Sequence, residues 1–156
     1  MKFLFTFLFS LVFTTVIFSQ NAQAPYLKYG TVPAVKLILA DSTGWELKAR
    51  LDKKKPLMLV IFSPECDHCK HETEEMIKNI DKFKNIQIVM ASLLPVYNLG
   101  KYKNITDGRD YAYILPVYYD IKSLPYHAFY TKDKKLISGF EGSMTVEKLL
   151  KQFSSK

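Results

Sequence analysis

Apolar positions dominate the start of the chain: from Phe3 to Phe18 the sixteen residues are Phe, Leu, Val and Ile broken only by Thr and Ser, with Lys2 before them and the polar Ser19-Gln20-Asn21 after. A positive start, an apolar stretch and a small-residue cut site predict a secretory signal peptide over residues 1–19. Ala22-Gln23-Ala24 offers a second cut, but Pro25 directly beyond it argues for Ser19. The alternative is a retained membrane anchor, although sixteen residues fall short of the roughly 20 that span a bilayer. Either way the folded part is expected outside the cytoplasm, in a periplasmic or other extracytoplasmic space.

Residues 20–31 are polar, contain Tyr and show no period, which reads as a short tether and places the folded domain at 32–156. Val32 to Ala40 reads as a strand and Trp45 to Leu51 as a short helical turn, stopped by Lys53-Lys54-Lys55-Pro56. Leu57 to Phe62 is apolar on both faces, as a central strand must be. After the turn Ser63-Pro64-Glu65, composition and apolar spacing predict a helix from Cys66 to about Phe83, then a strand from Ile86 to Leu93. Pro95 to Tyr119 is Tyr-rich and broken by Gly100, Gly108 and Pro116. Some helix is expected there, since a structureless connection of that length is uncommon. Within it, Tyr111 to Tyr119 reads equally as core or as an exposed aromatic strip. Tyr126–Thr131 and Leu136–Phe140 flank a charged turn as in a hairpin. Val146, Leu149, Leu150 and Phe153 then share one face of a closing helix. Alternation of this kind predicts a single α/β domain.

Composition narrows the class. The chain has 156 residues, 48% of them hydrophobic and 24% charged, which fits an ordinary globular domain. Lys and Arg number 22 against 15 Asp and Glu, a net charge of +7. The Lys residues are scattered and no Arg-rich, aromatic-interleaved stretch is present, so no nucleic-acid partner is expected.

Both cysteines lie in Cys66-Asp67-His68-Cys69. Two randomly placed Cys would fall at this spacing only about once in 80 times. The motif sits where an apolar strand turns into a helix. Unpaired backbone N–H groups and the positive end of the dipole at that position favour a thiolate, which makes Cys66 the candidate nucleophile and Cys69, one turn deeper, the resolving thiol. A static structural disulfide, and a metal or copper-delivery site built on the same sulfurs with His68 or His71, remain alternatives. His68 between the cysteines is placed to assist the Cys66 thiolate; the other reading is an exposed His at a helix start.

Glu72 belongs to the set Cys69, Glu72, Met76, Ile80 and Phe83, whose spacing puts a carboxylate on the helix face that must meet the sheet. A carboxylate there is a candidate proton acceptor for the Cys69 thiol; the alternative is a side chain that reaches solvent at the helix edge beside Glu74 and Glu75. Pro125 in Ser123-Leu124-Pro125 precedes a strand-like run, a place where proline is tolerated at the strand start and where a cis peptide bond can occur.

Taken together, these residues resemble the thioredoxin-like superfamily, and within it the exported thiol–disulfide oxidoreductases of the TlpA/ResA type. The resemblance runs from about Val32 to Phe153 and rests on the apolar strand Leu57–Phe62, the C-x-x-C of Cys66 and Cys69, Glu72 three residues on, Pro125 before the hairpin, and the closing helix. It implies a thioredoxin-like fold, with a central mixed sheet flanked by helices on both faces. It also implies that Glu72 is the acidic residue below the active site and that Pro125 is a cis-proline packed against the cysteine pair. The backbone before that proline, at Leu124, would pair with substrate as an added strand.

Departures from the family pattern are informative. Glu65 stands where a Trp usually precedes the first Cys, so Glu65 and Asp67 give the substrate-facing rim an acidic character. Val60 replaces the buried Asp of cytosolic thioredoxins. Asp67-His68 replaces the Gly-Pro or Glu-Pro common in reductases of this family, and a His before the second Cys resembles the disulfide-introducing oxidases, which leaves the direction of transfer open. The peroxiredoxin pattern P-x-x-x-T-x-x-C is absent, because Leu59 and Ser63 fill its Pro and Thr positions. The expected function is an exported thiol–disulfide oxidoreductase needing no cofactor, acting on protein thiols and disulfides and served by an upstream redox partner, with a membrane tether if the leader is kept. Its rivals are the metal module and a catalytically idle thioredoxin-like interaction domain.

Overall fold

A computed structural model of the chain describes residues 24–95 and 99–154. The expected signal peptide lies outside the described residues. No helix among them is long and apolar enough to cross a membrane.

The architecture grows outward from β3 (Leu57–Phe62), every residue of which is buried. Leu57, Leu59 and Ile61 enter one apolar cluster, while Met58, Val60 and Phe62 enter another on the opposite face. A strand covered on both faces needs an uninterrupted apolar run, which is what this segment supplies. It pairs in parallel with β4 (Gln87–Ser92) and antiparallel with β6 (Tyr126–Tyr130). Outside these lie β5 (Ile105–Arg109), parallel to β4, and β7 (Leu136–Glu141), antiparallel to β6. A hairpin of β1 (Lys36–Ile38) and β2 (Gly44–Glu46) completes the far edge, giving the order β2-β1-β5-β4-β3-β6-β7 among the described residues.

Helices cover both faces, as expected. The face bearing Leu59 and Ile61 is covered by α3 (Ile114–Tyr119) through Leu115 and Tyr119, joined by Tyr26 of α1 (Pro25–Tyr29). The other face is covered by α2 (Asp67–Lys78) through Cys69 and Met76 and by α4 (Val146–Lys151) through Val146 and Leu149.

Several elements depart from the sequence reading. The strand expected over Val32–Ala40 shortens to three residues, Lys36–Ile38: Pro33 has no N–H for a ladder at one end, and at the other the chain turns, with the Ser42 N–H donating to the Leu39 carbonyl. The helical turn expected over Trp45–Leu51 is replaced by β2, with Trp45 opposite Leu37, followed by a short 3₁₀ turn at Lys48–Arg50. Cross-strand pairing here overrides a weak local preference for helix. The helix begun at Cys66 ends at Asn79 and continues as a 3₁₀ turn, Ile80–Phe83, which still delivers Phe83 to the core. The stretch read as a tether contains α1, and the Gly30 carbonyl beyond it accepts a hydrogen bond from the Leu136 N–H.

Candidate active site

The last residue of β3, Phe62, leads through Ser63-Pro64-Glu65 into Cys66, the N-cap of α2. The Cys66 sulfur accepts a hydrogen bond from the Cys69 backbone N–H at 3.2 Å. A sulfur in the N-cap position thus takes one of the donors that a helix start leaves unpaired, and lies at the positive end of a twelve-residue helix. Cys66 is half-buried, whereas Cys69 is 1% exposed. Burial, and then its hydrogen bond with the Cys66 thiol, pushes the Cys69 thiol up to about 12. The two cysteines are both free thiols. Their inequality is the central asymmetry: one sulfur is partly exposed and accepts a backbone N–H at the helix start, the other is buried and held as a thiol behind it.

Glu72 lies one turn further along α2 and is 8% exposed, so the carboxylate sits on the core face rather than at the solvent edge. The sequence did not reveal its partners. His127 of β6, which is completely buried, brings Nε2 to 2.6 Å from Glu72 Oε1. The Met144 N–H donates to Glu72 Oε2 at 2.6 Å. Period-two alternation along β6 could have pointed to His127, because it shares a sheet face with Phe129 and its ring stacks on that residue at 6.0 Å. A cavity of about 410 Å³ lined by Glu72, His71, Glu75, Ser143, Met144 and Glu147 opens beside this pair.

The remaining candidates divide between rim and loop. Glu65, Asp67 and His68 are all exposed at the start of α2. Asp67 forms an ion pair with Lys70 at 3.4 Å, and the Ser143 hydroxyl donates to the His68 carbonyl at 3.5 Å. The Leu124–Pro125 peptide bond is cis. Because Ile61 pairs with Tyr126, Pro125 lies level with Phe62, at the strand end from which the chain turns into Cys66. Leu124 and Cys66 pack against the same apolar cluster. The loop before the proline is anchored by Glu141, another residue missed in the sequence: its carboxylate accepts from the Lys122 N–H at 2.6 Å and from the Ser123 hydroxyl at 3.2 Å. The Gly142 N–H donates to the Pro125 carbonyl. A groove of about 330 Å³ runs beside this loop, lined by Phe62, Leu93, Tyr113, Pro116, Ile121 and Leu124 among others. The structure therefore brings Cys66, Cys69, Glu72 and the cis-proline loop to one end of the sheet. Among the described residues no three of His, Cys, Asp and Glu assemble as metal ligands.

No protein-family model matches the sequence, and no curated protein matches it. Solved structures do. The exposed lipoprotein thioredoxin of Streptococcus pneumoniae is 19% identical, over 78% of this chain and all of its own, with a TM-score of 0.56. A secreted Mycobacterium tuberculosis disulfide oxidoreductase, homologous to E. coli DsbE, is 15% identical over 79% of this chain and 96% of its own, with a TM-score of 0.63. The 2-Cys peroxiredoxin of Plasmodium vivax is 14% identical over 78% and 90%, with a TM-score of 0.58. Proteins with these different chemistries share one scaffold, so at such identities the likeness speaks to architecture, and function must come from the site. In architecture, this chain is a thioredoxin-like α/β protein.

Proposed function

We propose that this protein is an exported thiol–disulfide oxidoreductase that exchanges disulfides with protein substrates through Cys66-Asp67-His68-Cys69. The observation that carries the reading is the Cys66 sulfur capping α2 while Cys69 lies buried one turn behind it. In the reducing direction the Cys66 thiolate attacks a substrate disulfide, forming a mixed disulfide and releasing one substrate sulfur. The Cys69 sulfur then attacks Cys66, its proton passing to Glu72, and the second substrate sulfur leaves as a thiolate. The opposite direction reverses each step, and an upstream redox partner resets the pair.

Other residues take supporting roles. His68 assists the Cys66 thiolate from the exposed side of the helix start. An extended substrate segment lies along the groove at Leu124 and Pro125 and pairs with the loop backbone. The carboxylates of Glu65 and Asp67 disfavour acidic segments at the rim. A cleaved leader frees the domain outside the cytoplasm, and a retained one tethers it to the membrane.

Insulin reduction in the presence of dithiothreitol tests the reading. The wild-type protein is expected to accelerate precipitation of the insulin B chain, and Cys66→Ala to abolish the acceleration. A wild-type protein without activity, binding zinc or copper stoichiometrically in equilibrium dialysis, would instead identify a metal module. The reduction potential of the pair decides the direction: a value near that of thioredoxin marks a reductase, and one near the strong oxidases marks disulfide insertion.

A further inference from the structure

We propose that His127 is the positioning residue of the active site, holding the Glu72 carboxylate in the orientation that takes the Cys69 proton when the mixed disulfide is resolved. The inference rests on the oxidoreductase reading and adds to it a residue 55 positions away from Glu72 in the chain.

Three observations carry it. First, Glu72 and His127 are both buried and 2.6 Å apart, on elements with no covalent proximity. A buried carboxylate without partners is costly, and a charge-assisted bond of this length is among the stronger ones. Second, His127 Nδ1 is buried without a hydrogen-bond partner. The tautomer with hydrogen on Nε2 therefore leaves no donor unpaired, and it presents a donor to Glu72. Third, the other carboxylate oxygen receives the Met144 N–H, so donors from β6 and from the segment before α4 fix both ends of the group. Two fixed donors set the carboxylate plane and leave each oxygen a free lone pair.

The surroundings of His127 isolate this interaction. Val60 stands opposite it on β3 and Phe140 on β7, and Phe129 stacks on its ring. Cys69 and Glu72 lie one turn apart on the buried face of α2, and His71, Glu75 and Glu147 are the titratable groups that line the adjoining cavity with Glu72. In the resolving step the Cys69–Cys66 bond forms, the bond from Cys66 to substrate breaks, and the substrate sulfur departs with the electron pair. The Cys69 proton moves to Glu72 and from there to water in the cavity.

The aromatic disulfide 5,5′-dithiobis(2-nitrobenzoate) separates the two steps. Attack by Cys66 releases the first thionitrobenzoate, and attack by Cys69 on the resulting mixed disulfide releases the second. Replacement of His127 by Leu (H127L) removes the donor and is expected to slow the second release at neutral pH by about tenfold or more, a share of what a positioned base contributes. Its rate should then climb with pH toward the alkaline range, as Glu72→Gln should also make it do. H127Q, which retains a donor near the Nε2 position, should stay within about threefold of wild type. In the double variant E72Q/H127L, the second release should be no slower than in E72Q alone. Should H127L not fold, H127N, whose amide stops short of Glu72, takes its place. A second release indifferent to His127 in rate and pH profile overturns the proposal, as does H127Q slowing as much as H127L, or additive effects in the double variant. A wild-type protein with no fast first release overturns the oxidoreductase reading along with it.

Discussion

At the scale of single residues the two cysteines differ by environment rather than by chemistry. Cys66 takes a backbone donor at a helix start, and Cys69 is buried, with its thiol pushed up to about 12. Because only the thiolate reacts, iodoacetamide at neutral pH should modify Cys66 and leave Cys69 as the free thiol, with Cys69 labelling appearing only as pH approaches that alkaline value. Peptide mass mapping after a timed quench reads this directly; equal labelling of both sulfurs at pH 7 would contradict the asymmetry. Cys66 and Cys69 were legible in the sequence because their chemistry is local, two residues at fixed spacing on a strand-to-helix turn. Glu72 was legible because a helix face can be counted along the chain. His127 was not, since the carboxylate that explains it is brought near only by the packing of α2 on β6. The same holds for Glu141, whose anchoring of Lys122 and Ser123 depends on the β6–β7 hairpin closing against the proline loop.

Among the elements, β5 and β2 were the strands the pattern concealed. Ile105-Thr106-Asp107-Gly108-Arg109 places Asp and Gly in the interior of a strand, both of them unfavourable there, so nothing in its local composition announces a sheet. The structure supplies the reason for the glycine. A Cβ at Gly108 would lie 2.8 Å from Leu37 Cβ and 3.3 Å from Leu39 Cδ2, so β1 approaches β5 only because no side chain intervenes. Gly108→Ala should therefore destabilise the protein by about 1–3 kcal/mol, the usual range for overpacking, by pushing the β1–β2 hairpin off the sheet. The shift in urea midpoint measures it, and an unchanged midpoint would show that the hairpin moves away at no cost. The strands that were legible, β3, β4 and β6, carry apolar runs that are buried almost throughout, and β7 follows β6 across a charged turn. The missed ones lie at the edge next to β1, where pairing geometry rather than hydrophobic pattern decides the structure.

For the molecule as a whole, the face opposite the cysteines is closed by tyrosines from three separate elements. Tyr26 of α1 meets Tyr119 of α3 at 5.6 Å between ring centres, Tyr119 meets Tyr126 of β6 at 5.1 Å, and the Tyr119 and Tyr130 hydroxyls share a hydrogen bond. The strip that read equally as core or as surface is thus both: Leu115 and Tyr119 point inward, and Tyr111, Tyr113 and Val117 outward. Burial raises Tyr119, Tyr126 and Tyr130 above the ordinary value of 10 for a phenol. In the unfolded chain these groups lose their protons near that ordinary value, while in the folded protein they keep them to higher pH. Above about pH 10 the unfolded state therefore binds fewer protons, and stability falls as pH rises. Cys69 contributes with the same sign, beginning near 9, its ordinary value. The urea midpoint should stay level from pH 7 to about 8.5 and drop steadily beyond pH 9.5, with phenolate absorbance from the buried rings appearing together with unfolding rather than ahead of it. Tyr119→Phe with Tyr130→Phe removes both partners of the buried hydrogen bond, a change that is close to neutral at pH 7 when shape is kept. The paired variant should accordingly match wild type at neutral pH and lose less stability at pH 11, and a pH dependence equal to that of wild type would show that these hydroxyls do not govern the alkaline limit.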